Sequence, residues 1–277
     1  VLAIWLQFLL PQHGLSRFLG WWANCRVVWI KNLIITQFVK SYGVDMQDAV
    51  QTDPLAYDSF NAFFTRTLKP QARPICAQAD QYAMPADGRL VAAGAWQQQP
   101  PSLLIKGHQQ TLAALLAEPS MPSDWYQGSY AVIYLAPKDY HRIHMPFAGK
   151  LLSMTFVPGR LFSVNEATAA HIPGLFARNE RLICRFETEQ GEMLVVMVGA
   201  MIVASMVTRW AGVIAPATKT LVRFDYRDQE ISFQKGDELG YFQLGSTVIL
   251  LTPHDGLQLQ AFLGSDVKMG QCLWQAS

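Results

Sequence analysis

Charge is scarce in this chain. Only 16% of its 277 residues are Asp, Glu, Lys or Arg, and 51% are apolar; globular domains carry charge on about a quarter of their residues. A chain this apolar is neither intrinsically disordered nor a charged coiled coil. Its formal charge of +1 leaves no bulk positive field for a nucleic acid, and no nucleic-acid partner is expected. Cysteine is scarce as well. Cys25, Cys76, Cys184 and Cys272 include no two within four residues, so neither a CxxC pair nor a zinc-knuckle spacing exists. They read as reduced thiols in a cytosolic setting, and a chain of this length builds a core without staples. There is no GxGxxG, no regular strand–helix alternation and no internal repeat, which excludes a dinucleotide fold. Long hydrophobic runs are missing too. Residues 1–10 are nearly all apolar, but Pro11-Gln12-His13-Gly14 breaks the run, well short of the roughly 20 residues that a spanning helix needs. The first residue is Val1 rather than Met, so the natural chain is expected to start upstream.

One further absence is local. Residues 1–44 hold Arg17, Arg26, Lys31 and Lys40 but no carboxylate, and the first acid is Asp45. The same stretch holds Trp5, Trp21, Trp22 and Trp29, half of the tryptophans. From Leu15 the apolar spacing is helical, and Arg17, Asn24 and Lys31 share a polar stripe if the helix runs unbroken. Basic residues with Trp and Phe on an amphipathic helix suit a membrane interface with anionic headgroups. The other reading is a helix packed on the domain's own core; the lack of any acid favours the membrane. A short helix is expected around 59–64, ending before Lys69-Pro70. The helical, membrane-interface segment is placed at 1–70 and a β-rich main domain at 71–277.

Beyond residue 81 the pattern is one of strands. Expected strands cover 130–135, 151–157, 181–187 and 193–198, the last two joined as a hairpin through Thr188-Glu189-Gln190-Gly191. Others cover 200–207, 212–215, 248–251 and 257–263; short helices are expected at 112–117 and 166–170. The fold class is α+β: a β-rich, mainly antiparallel core domain with an N-terminal amphipathic helical segment.

Three places could do chemistry. His141 and His144 stand three apart in Pro137-Lys138-Asp139-Tyr140-His141-Arg142-Ile143-His144-Met145-Pro146, just after an expected strand. An imidazole titrates near neutrality and can take and return a proton. It can also ligate zinc, for which no third ligand is evident, or simply cap a strand end. Asp87, in Met84-Pro85-Ala86-Asp87-Gly88, is either a turn residue or a carboxylate that orients a histidine. Ser246, in Leu244-Gly245-Ser246-Thr247, precedes the apolar run Val248-Ile249-Leu250-Leu251. The pattern is not the Gly-x-Ser-x-Gly elbow of hydrolases, and alone it reads as a turn before a strand.

Together these strings resemble the bacterial phosphatidylserine decarboxylases, a pyruvoyl-dependent family. The resemblance rests on Met84 to Gly88, Lys106-Gly107-His108, Tyr134 to Pro146, Phe162-Ser163-Val164-Asn165, Leu175 to Arg181 and Leu244 to Thr247. It runs from about Leu15 to the end of the chain. Asp-Tyr-His-Arg-x-His-Met-Pro combined with Leu-Gly-Ser-Thr is its most specific part.

The resemblance implies a chain that cuts itself between Gly245 and Ser246. The Ser246 hydroxyl attacks the Gly245 carbonyl, the resulting ester is lost by elimination, and hydrolysis releases ammonia. A covalent pyruvoyl group, the cofactor, is left on a small chain, 246–277, beside a large chain, 1–245. The family's Asp/His/Ser set matches Asp87, His144 and Ser246, with Asp87 orienting His144 and His144 activating Ser246. His141 matches the histidine implicated in decarboxylation. The serine amine of phosphatidylserine condenses with the pyruvoyl carbonyl as a Schiff base, the group acting as an electron sink, and phosphatidylethanolamine and CO2 leave. No metal is implied. The expected partners are phosphatidylserine in an anionic membrane, the two chains of one precursor and a second copy in a homodimer. The expected location is peripheral, on the cytoplasmic side of the cell membrane. Two rivals stand beside this reading: a serine hydrolase built on Ser246, His144 and Asp87, and a non-catalytic, membrane-associated β module. Both predict an intact chain.

Overall fold

The structure, a computed structural model, describes residues 7–8, 11–201, 205–214, 220–243 and 246–276. Among the described residues its front holds two helices rather than one continuous helix: α1, Gln12–Ala23, and α2, Val28–Tyr42. Asn24 ends α1 by turning its amide back onto the Gly20 carbonyl (2.8 Å), which competes with helix continuation. Gly43, at φ 62°, closes α2 in the left-handed conformation that suits glycine. The expected stripe through Arg17, Asn24 and Lys31 therefore does not form. Lys31 points inward, and its Nζ donates to Asn32 Oδ1 and to the Leu55 carbonyl, both at 2.8 Å.

Helix α3, Phe60–Phe64, begins where Ser59 Oγ accepts the Ala62 N–H, a standard N-cap. Its Phe60, Phe63 and Phe64 pack with Ala23 and Ile35, and Phe38 packs on them, in a small core separate from that of the sheets.

The rest of the chain is laid out as β1 (Gln81–Ala83), β2 (Gly88–Gln97), β3 (Ser102–Ile105), β4 (His108–Thr111), α4 (Leu112–Leu116), β5 (Gln127–Leu135), β6 (Arg142–His144) and β7 (Gly149–Val157). Then come α5 (Glu166–His171), α6 (Leu175–Arg178), β8 (Arg181–Thr188), β9 (Gly191–Gly199), β10 (Met206–Thr208), β11 (Gly212–Ile214), β12 (Val222–Asp225) and β13 (Ser232–Phe233). The chain closes with β14 (Glu238–Phe242), β15 (Ser246–Thr252), β16 (Leu257–Leu259), β17 (Asp266–Val267) and β18 (Cys272–Ala276).

The largest sheet has the order β12-β7-β8-β9-β15-β5-β2-β17, with β13 also on β7. A second sheet runs β11-β10-β14-β6 and a third β1-β18-β16, while β3 and β4 form a hairpin. The pairings that build these sheets are antiparallel, as the fold class requires. Strand β15 lies inside the large sheet with all seven residues buried. That explains its unbroken apolar run, since a strand covered on both faces need not alternate.

Three sequence expectations change. Of the strand read at 200–207, only Met206 and Val207 are in a strand, and 202–204 lie outside the described residues. The strand read at 257–263 stops at Leu259, and Phe262 and Leu263 stand exposed in the turn that follows. Gly88 is the first residue of β2 rather than the corner of a tight turn. There β2 crosses so close to β5 that a Cβ would collide with the Tyr134 carbonyl oxygen, so the position needs glycine for space.

Candidate active site

Ser246 opens β15, flanked by Leu135 of β5 on one side and Gly199 of β9 on the other. It is fully buried, and its Oγ has no hydrogen-bond partner among the described residues. Leu244 and Gly245, and with them the expected cleavage bond, lie outside the described residues. From Leu135 the chain turns over Ala136 to Asp139, where Asp139 Oδ2 accepts the Ala136 N–H at 2.8 Å. It then runs through Tyr140 and His141 into β6, which pairs with β14. The Phe242 N–H at the end of β14 reaches the His141 carbonyl. The topology thus gathers His141 and Ser246 at adjoining strand ends. His141 stands immediately before the short strand β6 and His144 is its last residue.

His141 is fully buried. Its Nδ1 lies 2.8 Å from the Asp139 carbonyl, which places the proton on Nδ1 and a lone pair on Nε2. That Nε2 has no partner among the described residues. The ring rests on Phe64, centroids 4.1 Å apart. Burial pushes the imidazole down to about 3, so it is neutral at physiological pH. His144 is held in the same tautomer, with Nδ1 2.7 Å from the Gly236 carbonyl and Nε2 3.0 Å from the Tyr140 hydroxyl. Gly236 sits at φ 91°, and a Cβ there would press on Ile75, so glycine is what lets its carbonyl face the ring. Burial also lowers the His144 pKa and raises that of the Tyr140 phenol.

Asp87 is 1% exposed and lies elsewhere than expected within this group. It accepts from Arg73 Nη2 at 2.6 Å, from Arg73 Nε at 2.9 and 3.1 Å, from Lys268 Nζ at 3.2 Å and from the Met269 N–H at 2.9 Å. Arg73 also reaches Asp48 at 2.7 Å. No hydrogen bond joins Asp87 to His144. The link is through the backbone, His144 N–H to the Pro85 carbonyl at 2.8 Å. Asp87 still acts on both imidazoles through space, favouring their cationic forms. The structure therefore sets Asp87 close enough to His144 for its charge to act on the imidazole, and among the described residues no hydrogen bond joins Asp87 to His144 or His144 to Ser246.

Several residues here went unread in the sequence. Arg73 and Lys268 hold Asp87, Tyr140 faces His144, and Arg66 lies behind His141. Glu180 is buried, which pushes its carboxyl up to about 7, and its carbonyl takes the N–H of Gly199, the strand partner of Ser246. Next to it, Asn179 Nδ2 donates to the carbonyls of Phe162 and Gly199, and its Oδ1 accepts the Phe162 N–H. The strings Phe162 to Asn165 and Leu175 to Arg181 thus brace the strand end opposite Ser246. Among the described residues no group of three or more His, Cys, Asp or Glu could hold a metal ion.

A buried serine at the head of a clamped strand, and two buried imidazoles whose pKa values burial lowers, make up a candidate acid–base site in a β-rich α+β fold. A family model described as phosphatidylserine decarboxylase matches residues 60–275, and a second, described as PSD, matches residues 2–43. The phosphatidylserine decarboxylase proenzyme of Pseudomonas aeruginosa (strain LESB58) is 47% identical over 273 residues, covering 96% of this chain and 94% of that protein. The protein of the same name from Methylococcus capsulatus (strain Bath) is 47% identical over 272 residues, covering 97% and 94%. That from Pseudomonas putida (strain KT2440) is 48% identical over 273 residues, covering 96% and 95%. The chain belongs to the phosphatidylserine decarboxylase family.

Proposed function

We propose that this chain converts phosphatidylserine to phosphatidylethanolamine and CO2, using a pyruvoyl group that it makes from its own Ser246. The observation that carries this reading is the state of Ser246. It is fully buried and without a hydrogen-bond partner among the described residues, and it heads a strand with a neighbour on each side. A cut before residue 246 would leave that strand in place between β5 and β9. The site fits the group: Ser246 is shielded from water, and among the described residues nothing hydrogen-bonds its side-chain oxygen. A pyruvoyl ketone supplies an electron sink for carbon–carbon cleavage.

The protein's own residues do the rest. His144, fixed by Gly236, presents Nε2 as the base for maturation, exchanging the Tyr140 hydroxyl for that of Ser246. Asp87 supports it by holding Arg73, Lys268 and the Met269 N–H in register, and by its charge. His141 offers the unpartnered Nε2 and handles the proton of the decarboxylation step. Residues 1–70 then form the helical, membrane-interface segment and 71–277 the catalytic domain.

The expected test is a pair of variants. His144→Ala should remain largely uncut, and His141→Ala should be cut but lose activity by roughly 100-fold or more, within the range of general acid–base contributions. Intact mass reports the first result and CO2 release the second. Full activity in His141→Ala would remove His141 from the reaction.

The outer face of α1 and α2 supports docking at a bilayer. Trp21 and Trp29 are each 70% exposed, and Phe18, Val28 and Leu33 are exposed beside them, whereas Gln12, Ser16 and Lys31 are buried. An apolar surface turned outward over polar residues turned inward marks an apolar partner, and Trp suits the headgroup level. Among the described residues no helix is long and apolar enough to cross a membrane. We propose a peripheral enzyme on the cytoplasmic leaflet. Replacing Trp21 and Trp29 together by Ser should weaken binding to phosphatidylserine vesicles by roughly 10- to 100-fold. Vesicle co-sedimentation checks this, and unchanged binding would refute this face as the docking surface.

A further inference from the structure

Two buried arginines invite comparison. Arg181 is 2% exposed and spends its guanidinium on the carbonyls of Ala114, Leu115, Ala177 and Asn179. Arg66 is 4% exposed but uses only Nη2, on the carbonyls of Lys138 (2.9 Å) and Asp139 (3.3 Å). Its Nε and Nη1 are buried and have no hydrogen-bond partner among the described residues; the guanidinium carbon lies 5.7 Å from the centre of the Phe63 ring. A buried cation with idle donors is costly unless an anion completes it. Among the described residues no carboxylate forms an ion pair with Arg66, and Asp87 and Asp48 are engaged by Arg73. Burial, with the nearby Arg73 charge, pulls the pKa of Arg66 down against the opposing pull of Tyr57, Asp87 and Asp139.

The location is specific. Arg66 Nη2 and His141 Nδ1 share one acceptor, the Asp139 carbonyl, and Phe64, two residues before Arg66, lies on the His141 ring. Arg66 also lines a cleft of about 220 Å3 whose wall carries Arg73, Lys138 and Lys268 beside five aspartates. It follows α3, which packs against α2, the helix whose outer face carries Trp29 and Leu33. The guanidinium therefore stands between the proposed lipid-facing helices and the proposed decarboxylation centre.

We propose that Arg66 receives the phosphodiester of the lipid headgroup, a proposal that rests on the phosphatidylserine reading above. The substrate brings two anions. Its carboxylate gives up its charge as CO2 forms, so a guanidinium fork on it would favour the ground state over the transition state. The phosphodiester keeps its charge throughout and lies between glycerol and serine, as Arg66 lies between the helical front and His141. Arginine's planar fork suits phosphate.

The test uses matured protein and water-soluble dihexanoyl lipids. Dihexanoyl-phosphatidylserine has both anions, and dihexanoyl-phosphatidylethanolamine keeps only the phosphodiester. In Arg66→Gln, KM for the first and the inhibition constant of the second should rise together by about 10- to 100-fold, with kcat falling less than KM rises. Arg66→Lys should show a smaller joint rise. A rise in KM with an unchanged inhibition constant would assign Arg66 to the carboxylate and overturn the proposal, as would no change in either. If Arg66→Gln does not fold, the same comparison in Arg66→Lys decides. Failure of the unaltered protein to release CO2 would instead sink the decarboxylase reading. Calorimetric titration of dihexanoyl-phosphatidylethanolamine into wild type and variant would then still judge Arg66, a tenfold loss of affinity upholding it and equal affinity refuting it.

Discussion

Ser246→Ala is expected to stay one full-length chain and to release no CO2 from phosphatidylserine, a loss of at least about 1,000-fold. Alanine has no hydroxyl to attack the Gly245 carbonyl and no oxygen at Cβ to leave by elimination, so neither the cut nor the ketone can form. The loss would not come from misfolding. Ser246 Oγ makes no hydrogen bond among the described residues, and removing a buried hydroxyl without a partner relieves a desolvation cost instead of creating one. Thermal unfolding should place the variant at least as high as the uncut precursor. A denaturing gel and a CO2 assay check the two halves of this expectation. A second chain in the variant would show that Ser246 is not the residue that cuts.

Asp87→Asn is expected to destabilise the fold by about 3–5 kcal/mol, the usual cost of removing one partner from a buried ion pair. Asp87 and Arg73 are 1% and 10% exposed at the side chain, and Lys268 and the Met269 N–H converge on the same carboxylate. Without the negative charge, Arg73 is left with the exposed Asp48 alone. Because Arg73 lies in the segment after the helical front and Lys268 lies beyond Ser246, the damage should spread to both sides of the proposed cut. Arg73→Met should be destabilised by a similar amount, since it strands the carboxylate. Calorimetric melting checks both; for a chain of this size the drop should be about 10 °C. If Asp87 served only to orient His144, Asp87→Asn would slow the cut and leave the melting temperature in place.

What could be read in advance follows from how local each signal is. Strand β15 announced itself because Val248 to Leu251 form an unbroken apolar run, which only a strand inside a sheet buries on both faces. The hairpin of β8 and β9 was equally plain, its turn residues flanked by two apolar segments. Helix α3 was legible from its clustered phenylalanines and from Lys69-Pro70 beyond its end. The break between α1 and α2 was not, because Asn24 stops the helix by a side-chain bond that apolar spacing does not record. Strand β6 was hidden because three residues containing a histidine have no period of their own; β14 makes them a strand.

In the site the residues were legible but their partners were not. Asp87, His141, His144 and Ser246 could be picked out by residue type and motif. The partners of Asp87 lie 14 residues before it and 181 after it, and the partner of His144 is the carbonyl of a glycine 92 residues on. Spacing along the chain does not encode such contacts; the sheets create them. The same holds for Arg66, whose idle donors become visible only when every neighbouring acceptor has been placed.

Self-cleavage before Ser246 is the step on which the proposed chemistry depends. Strand β15 lies between β5 and β9, β17 lies on β2, and β18 lies between β1 and β16, so a fragment beginning at Ser246 would stay bound through three separate strands. The decisive measurement is the mass of purified, matured protein, taken first under native and then under denaturing conditions. The native spectrum should show the fragments held together. The denatured one should show a chain ending at Gly245 and a chain of residues 246–277 that is lighter by one ammonia than simple hydrolysis would leave it. A single unbroken chain of 31.0 kDa under denaturing conditions, or a small chain that still carries its full serine amine, would contradict it.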